Sequence, residues 1–386
     1  MGPARHTLFQ ARTVLAERFG YQHFRAAQLR VLGPLLGGRH VLGVLPTGAG
    51  KSLCYQVPAL LTEGLTVVVS PLISLMQDQV AALRRRGIAA AYLNSTLSPQ
   101  DQRTILNLAL SGQARLLYCA PERLVSLSRL VRDAAVTVSL LAVDEAHCIV
   151  EWGNTFRPIY RQLGELRYHL REPRTLALTG SATPAARREI LTVLRIPRAE
   201  VVTASFDRPN LRFQVERVKD DRDRFARIVR ALEEIPGQAI IYTPTRRLTE
   251  LVARALRFRG CRAAPYHAGL DADIRRPVLG AFQHDKAPVI VATSAFGMGI
   301  DKPDVRLVLH WGPPRTLEAY YQEAGRAGRD GRVATCRMFW RPEDLEWGEM
   351  APEMKRYVHG RKCRRKTLLA HFGEHLGTCH GCDVCG

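Results

Sequence analysis

Between the apolar stretch His40–Leu45 and a run of helical period stands the turn Pro46-Thr47-Gly48-Ala49-Gly50-Lys51-Ser52. It ties a strand to a glycine-rich turn and the turn to a helix, which commits this part of the chain to an α/β sheet. In such a turn the glycines let backbone N–H groups face inward around phosphate oxygens. Thr47, Gly48, Ala49 and Gly50 would form the cradle of a nucleotide. Lys51 can reach the β- and γ-phosphates, and the Ser52 hydroxyl can ligate Mg2+. Leu45 occupies the first glycine position of the strict pattern, so the match is incomplete. Lysine is scarce, seven of 56 basic residues, yet one stands where a slender ammonium is required.

The same alternation runs on. Strand-like runs at His40–Leu45, Leu65–Ser70, Arg115–Cys119, Ser139–Val143 and Arg174–Leu178 are followed by a second set at Gln238–Tyr242, Arg262–Tyr266, Ala287–Ala292 and Val305–Leu309. Helical periods lie between them, for example Ser74–Arg86, Pro184–Leu194 and Thr249–Arg259. This predicts two α/β lobes with parallel sheets, joined near Val201–Asn210. From about Arg341 the chain is polar and too short for a core of its own.

Asp144-Glu145-Ala146-His147 closes the wholly apolar run Ser139–Val143. A carboxylate at the end of a buried strand faces the crevice where α/β sheets bind ligands. Asp144 would hold Mg2+, directly or through water, and Glu145 would activate the attacking water as general base.

The net charge of +20 is spread along the chain: residues 1–200 carry 24 basic and 13 acidic groups, residues 201–386 carry 32 and 23. An excess shared by both halves predicts a polyanion lying across the whole molecule. No uncharged run exceeds the 14 residues of Ala287–Ile300, short of the roughly 18 that span a bilayer. The first residues lack the apolar core of a signal peptide, and His6 stands where a myristoylation site needs Ser or Thr. A cytoplasmic protein is expected, neither secreted nor in a membrane.

Five of the nine cysteines (Cys54, Cys119, Cys148, Cys261 and Cys336) are scattered beside apolar residues and read as buried thiols. The other four, Cys363, Cys379, Cys382 and Cys385, form a C-x15-C-x2-C-x2-C array suited to one tetrahedral ion. The array also resembles the start of an iron–sulfur run, without the Cys-Pro that would follow it. His380 is an alternative ligand.

Asp144–His147 resembles the DEAH-type signature of superfamily 2 helicases, and further motifs narrow the resemblance to the RecQ family over nearly the whole chain. Phe19-Gly20-Tyr21, Phe24-Arg25 and Gln28 look like that family's adenine-reading motif. Ser70–Met76 with Asp78-Gln79, and Tyr118 with Pro121–Leu124, look like its DNA-contact motifs. Thr179-Gly180-Ser181-Ala182-Thr183 resembles the motif coupling hydrolysis to DNA, its hydroxyls able to bond the acidic pair. Ser205–Asn210 resembles the family's linker motif, and Tyr266–Leu270 and Thr293–Val305 its second-lobe motifs. Gln322–Gly331 is similar to its arginine-finger motif, with Arg326 and Arg329 read as two guanidiniums on one helix face. Cys363–Lys366 and Phe372–Glu374 resemble its zinc subdomain.

The resemblance implies two RecA-like lobes, 1–204 and 205–342, and a small helical zinc-binding subdomain, 343–386. ATP would lie in the interlobe cleft, with Gln28 on the adenine edge, Tyr21 stacked on the base and Arg25 supporting the nucleotide. Gln322, Arg326 and Arg329 would join Lys51 and Glu145 in catalysis. Zn2+ would sit on the four cysteines. Trp152, Phe156, Arg157 and His267 would contact DNA, the aromatics by stacking on bases. The implied activity is 3′-to-5′ translocation on single-stranded DNA with unwinding of tailed or forked duplexes, in recombination or repair. A monomer is expected, at the bacterial nucleoid or in a eukaryotic nucleus.

One segment departs from the family. Cys148–Pro158 resembles its aromatic-rich loop, but Asn154-Thr155 stand where members usually carry His-Asp. That departure favours a rival reading, a DNA-stimulated translocase that unwinds poorly. A DNA-binding module with a decayed motor, and an RNA helicase, are the remaining readings.

Overall fold

The computed structural model describes residues 7–46, 48–134, 136–153, 157–297, 302–346 and 348–386, apart from the side chain of Ala272. They form two compact units that divide between Ser205 and Phe206. Each is built on one sheet whose strands all run parallel. None of the described helices is long and apolar enough to cross a membrane.

The first sheet contains β1 (Val41–Val44), β2 (Leu65–Val69), β3 (Ala90–Leu93), β4 (Leu116–Cys119), β5 (Val138–Val143), β6 (Arg174–Thr179) and β7 (Glu200–Thr203). Their spatial order is β3-β4-β2-β5-β6-β1-β7. β1, β2 and β4 are buried along their whole length, as expected of strands covered on both faces by helices. Continuous apolar runs of this kind are visible in the sequence. β3 and β7 are not: β3 is a four-residue, alanine-rich edge strand, and β7 is the opposite edge, with Val201 exposed. The expected junction at Val201–Asn210 therefore begins inside a strand, with Thr203 paired to Val44.

The second sheet contains β8 (Leu211–Arg217), β9 (Gln238–Tyr242), β10 (Ala263–Tyr266), β11 (Val289–Ala292), β12 (Val305–His310) and β13 (Ala334–Trp340), in the order β10-β11-β9-β12-β13-β8. The pleat sorts its side chains into two layers. Ile240, Tyr242, Ile290, Val308, Cys336 and Met338 enter one. Ala239, Ile241, Val291, Leu307, Leu309 and Phe339 enter the other.

The first of these layers is completed by the C-terminal segment. Met354, Tyr357 and Val358 from the helix Pro352–His359, and Leu368 from Arg364–His371, pack in the same cluster. The edge of β8 is closed by the cysteine-rich loop: Phe213 N–H donates to Gly381 O at 3.0 Å, and Asp383 N–H donates to Phe213 O at 2.9 Å. An open strand edge is thus covered by the chain's own tail.

Several helices begin on threonine side-chain caps. Thr183, Thr245 and Thr316 each accept a hydrogen bond from an amide of the following first turn. Gly43, in the middle of β1, shows how tightly the first core is fitted. A Cβ there would stand 2.7 Å from Leu178 Cδ2 and 3.2 Å from Val31 Cγ2. Gly43→Val is therefore expected to lower stability by about 1–3 kcal/mol, read as a lower midpoint in chemical denaturation. An unchanged midpoint would mean that β1 shifts freely against its helix.

Candidate functional site

β5, β6 and β1 are neighbours and parallel, so the three segments that follow them emerge side by side. These are the acidic motif, Thr179–Thr183 and the glycine-rich turn. The backbone ties them together: Leu45 N–H donates to Thr179 O at 2.9 Å, and Ala146 N–H donates to Leu178 O at 2.8 Å.

In the glycine-rich turn Gly48 and Gly50 take φ of +82° and +73°, left-handed values that glycine adopts at no steric cost. Lys51 Nζ lies 3.5 Å from Leu45 O. Gln28 is buried against the turn. Its Nε2 donates to Gly50 O at 2.9 Å and to Ala49 O at 3.2 Å, and its Oε1 accepts from Arg25 N at 2.8 Å. The Arg25 guanidinium bonds Gly48 O. Both ends of the amide expected at an adenine edge are thus engaged by the chain. Tyr21 is about half exposed, with 54% of its surface open. Thr47 lies outside the described residues.

Asp144 is buried, and its carboxyl is pushed up to about 6, first by burial and then by the neighbouring Glu145 charge, with Lys51 opposing. Tyr55, four residues after Lys51 on the helix Leu53–Leu61, donates its hydroxyl to Asp144 Oδ2 at 3.3 Å and lies beside Ser52. The two expected Mg2+ ligands therefore both neighbour one phenol. Two hard oxygen donors beside a lysine suit Mg2+ carried in with a triphosphate. Glu145 has φ +49°, a strained value for a non-glycine residue, in a region where strain is often tied to function. Asp144 Oδ1 holds its amide at 3.0 Å.

Thr179 corrects one expectation. Its hydroxyl lies 3.0 Å from His147 Nδ1 and donates to Ser181 O at 3.0 Å, so it meets the acidic motif through His147 and not through the carboxylates. His147 Nδ1 is also 3.3 Å from Glu145 Oε2. The His147 ring thus lies between the expected base and the Thr179 segment. The roles of Tyr55 and His147 do not show in the sequence pattern, beyond the spacing of four between Lys51 and Tyr55, one helical turn.

The expected DNA contacts are placed unevenly. Trp152 is half-buried, with its ring edge-on to Tyr160 at 6.3 Å. Arg157 is engaged within the unit: its guanidinium meets both Glu122 oxygens at 2.7 and 3.0 Å and donates to Pro71 O at 2.7 Å. It joins three expected DNA motifs. His267 is buried and bonds Glu250 through Nε2 at 3.1 Å. Asn154, Thr155, Phe156 and residues 298–301 lie outside the described residues. A buried polar chain runs from Tyr55 beside Tyr118 (ring centroids 6.2 Å apart) to Gln56 and Gln79. Gln56 Nε2 donates to Tyr118 Oη at 3.1 Å and to Gln79 Oε1 at 2.8 Å.

In the second unit Gln322 lies on the helix Leu317–Ala324, which ends before the arginines. Arg326 and Arg329 therefore lie in a run of turns and not on a helix face. Gly325 and Gly328 explain the difference. A Cβ on Gly325 would meet Tyr321 O at 2.8 Å, and Gly328 has φ +55°. Arg208 and Asn210 of the expected linker motif bond this segment's carbonyls, a role that the sequence did not disclose.

The sulfurs of Cys363, Cys379, Cys382 and Cys385 lie within 4.8 Å of one another. Burial opposes ionisation of Cys382, yet the amides of Val384, Arg364 and Cys385 draw its thiol down to about 7. Four sulfurs, one of them cradled by N–H groups, fit a structural Zn2+. His380 is exposed and outside the cluster. Of the scattered cysteines, Cys54, Cys119, Cys148 and Cys336 are buried, and Cys261 is half-exposed.

Residues 25–191 match the DEAD/DEAH box helicase family, 223–331 the helicase conserved C-terminal domain, and 346–386 the RecQ zinc-binding domain. The three together define a two-domain helicase core with a zinc-binding extension. The ATP-dependent DNA helicase RecQ of Haemophilus influenzae is 42% identical over 97% of this chain and 63% of its own length. That of Bacillus subtilis is 41% identical over 98% and 67%. The fold resembles Mycobacterium smegmatis helicase Lhr bound to ssDNA and AMP-PNP, with a TM-score of 0.67 at 21% identity over 88% of this chain and 48% of that one. The chain belongs to the RecQ family of ATP-dependent DNA helicases, and spans about three fifths to two thirds of the length of these curated relatives.

One zinc per chain is expected by atomic absorption. Cys379→Ser or Cys382→Ser should lower that stoichiometry and the Tm by at least about 4 °C, since zinc binding contributes folding energy. Full zinc in both variants would exclude these sulfurs as the donor set.

Proposed function

We propose that this chain is a Mg-ATP-driven DNA motor that moves 3′-to-5′ along single-stranded DNA and separates tailed or forked duplexes. The observation that carries it is the meeting of Lys51, Ser52, Asp144, Glu145 and Thr179 at the ends of three adjacent parallel strands. His147 lies between Glu145 and Thr179, and Tyr55 bonds Asp144 beside Ser52. Such a set can orient a water, accept its proton and report the result to the next strand.

Glu145 would take the proton of the attacking water. Lys51 would neutralise charge on the β- and γ-phosphates. Ser52 and Asp144 would hold Mg2+, which supplies charge stabilisation at the phosphates when bound. Gln322, Arg326 and Arg329 would also serve hydrolysis, the arginines meeting charge on the transferred phosphoryl group. Thr47 to Gly50 would cradle the phosphates. Binding of adenine by Gln28, with Tyr21 stacked on the base and Arg25 in support, requires Gln28 and Arg25 to exchange their bonds to the glycine-rich turn for the nucleotide.

For DNA, Trp152 and Phe156 would stack on bases. Arg157 would act chiefly by holding the Pro71 and Glu122 segments together, and His267 by supporting its loop from within. The +20 net charge favours a polyanion. The relatives are named as DNA helicases, which favours DNA over RNA as the substrate. The proposed setting is recombination or repair at the bacterial nucleoid or in a nucleus, with the chain working as a monomer.

Steady-state ATP hydrolysis with single-stranded DNA and with RNA tests this reading. Stimulation by DNA should exceed that by RNA. Lys51→Ala should lose at least about 10²-fold in rate, and Glu145→Gln about 10²–10⁴-fold while still binding nucleotide. Equal stimulation by RNA would move the substrate class. Full turnover in Glu145→Gln would remove the base. DNA-stimulated hydrolysis without separation of a 3′-tailed duplex would leave a translocase.

A further inference from the structure

Residues 325–330, which carry Arg326 and Arg329, form consecutive turns rather than a helix or strand. Their amides bond backbone carbonyls, among them Arg326 N–H to Glu323 O and Gly328 N–H to Val305 O, while side chains from elsewhere hold the segment's own carbonyls. Arg208 NH1 donates to Gly325 O at 3.1 Å, and its NH2 donates to Ala327 O and Gly328 O, both at 2.9 Å. Asn210 Nδ2 donates to Gly328 O at 2.8 Å and to Arg332 O at 2.9 Å. The clamped carbonyls of Gly325 and Ala327 flank Arg326 on both sides. A Cβ on Gly328 would stand 2.5 Å from Asn210 Nδ2 and 2.8 Å from Arg332 O, so the clamp fits only a bare backbone.

The clamp is itself anchored. Asp207 accepts from Arg365 through Nε at 3.2 Å and NH2 at 2.5 Å. Phe206 stacks on Phe372 at 4.6 Å, its N–H donates to Glu374 Oε2 at 2.7 Å, and its carbonyl accepts from Tyr321 Oη at 2.8 Å. Arg365 lies two residues beyond Cys363, and the Cys379 side chain acts on its guanidinium charge. Neighbouring contacts thus lead from the four-cysteine cluster through Arg365, Asp207 and Arg208 to the arginine-bearing turns.

We infer that Arg208 is a positioning residue for Arg326 and Arg329, and that the cysteine cluster fixes it in place through Arg365 and Asp207. The inference rests on the role proposed above for the two arginines. The planar guanidinium fork of Arg208 reaches three carbonyls at once, which a lysine ammonium on a flexible stem does not reproduce. The cluster then serves turnover as well as folding.

The test compares DNA-stimulated ATP hydrolysis of the whole chain and of Arg208→Lys, Asp207→Asn, Arg365→Lys, Arg326→Ala and the double variant Arg208→Lys/Arg326→Ala. Zinc content and amide hydrogen exchange across 324–333 are measured for each. Arg208→Lys should lose about 10²-fold in kcat, the cost of a misplaced catalytic group, with KM for ATP within about twofold. Asp207→Asn and Arg365→Lys should each lose about tenfold and keep one zinc, a smaller misplacement acting at second hand. Exchange at 324–333 should quicken in all three, and in the unaltered chain once a chelator strips its zinc. In the double variant the Arg208 change should cost nothing further, because both act on one step. Full kcat in Arg208→Lys beside an inactive Arg326→Ala would overturn the inference and leave the arginine role standing. Full kcat in Arg326→Ala would overturn the arginine role itself. Additive losses with a lowered Tm, or unchanged exchange at 324–333 after zinc removal, would reduce the contacts to ordinary packing.

Discussion

The pairing of β5, β6 and β1 as adjacent parallel strands is the constraint on which the first unit depends. In a parallel sheet every strand ends on the same edge, so whatever follows those strands is delivered to one place. Here that delivers a glycine-rich turn, two carboxylates and a threonine segment. The sheet also determines their environment. Asp144 follows a strand buried on both faces, and burial is the largest cause of its raised carboxyl pKa. A carboxylate so placed has a strong demand for a cation, which Lys51 meets in part and a metal ion can meet fully.

The second unit solves a different problem. Its arginines follow a helix that ends at Gly325, and only turn-type bonds, such as Arg326 N–H on Glu323 O at 3.2 Å and Ala327 N–H on Ala324 O at 3.0 Å, continue to their positions. The sheet brings the segment close, through Gly328 N–H on Val305 O, and side chains do the remainder. The C-terminal segment takes part in this unit in three ways. Its helices complete one core layer, its cysteine loop covers the β8 edge, and Arg365 reaches Asp207.

Much of this was legible in the sequence, and the failures share a cause. Runs such as Leu65–Val69 and Gln238–Tyr242 are apolar throughout because both faces are covered, and they read plainly as strands. β8, Leu211–Arg217, alternates polar and apolar residues at a sheet edge, and β13, Ala334–Trp340, is interrupted by Arg337; neither reads as a strand from its sequence. The glycine-rich turn, the acidic motif and the cysteines were legible because their chemistry depends on local spacing. The engagements of Gln28, Arg157 and Thr179 were not, since each bonds a partner distant in sequence. Arg157 reaches back 86 residues to Pro71, and Arg208 reaches forward 117 to Gly325. The spacing of three between Arg326 and Arg329 suggested a helix face, but the glycines beside them decide otherwise.

The energetic scale explains why so many bonds converge on so short a segment. Fixing the backbone of one residue costs about 1–2 kcal/mol, and the amides of 325–330 are bonded irregularly, to Tyr321, Glu323, Ala324, Val305 and Pro303. A bond to a charged group contributes about 1.5–3 kcal/mol. Arg208 supplies three, and Asn210 adds two neutral ones. Together these are of the same order as the ordering cost, so the arginines are held before any ligand arrives. Charge stabilisation in a transition state is effective when its donors need no rearrangement at the moment of reaction. On this argument a guanidinium 118 residues away from Arg326 is part of the same device.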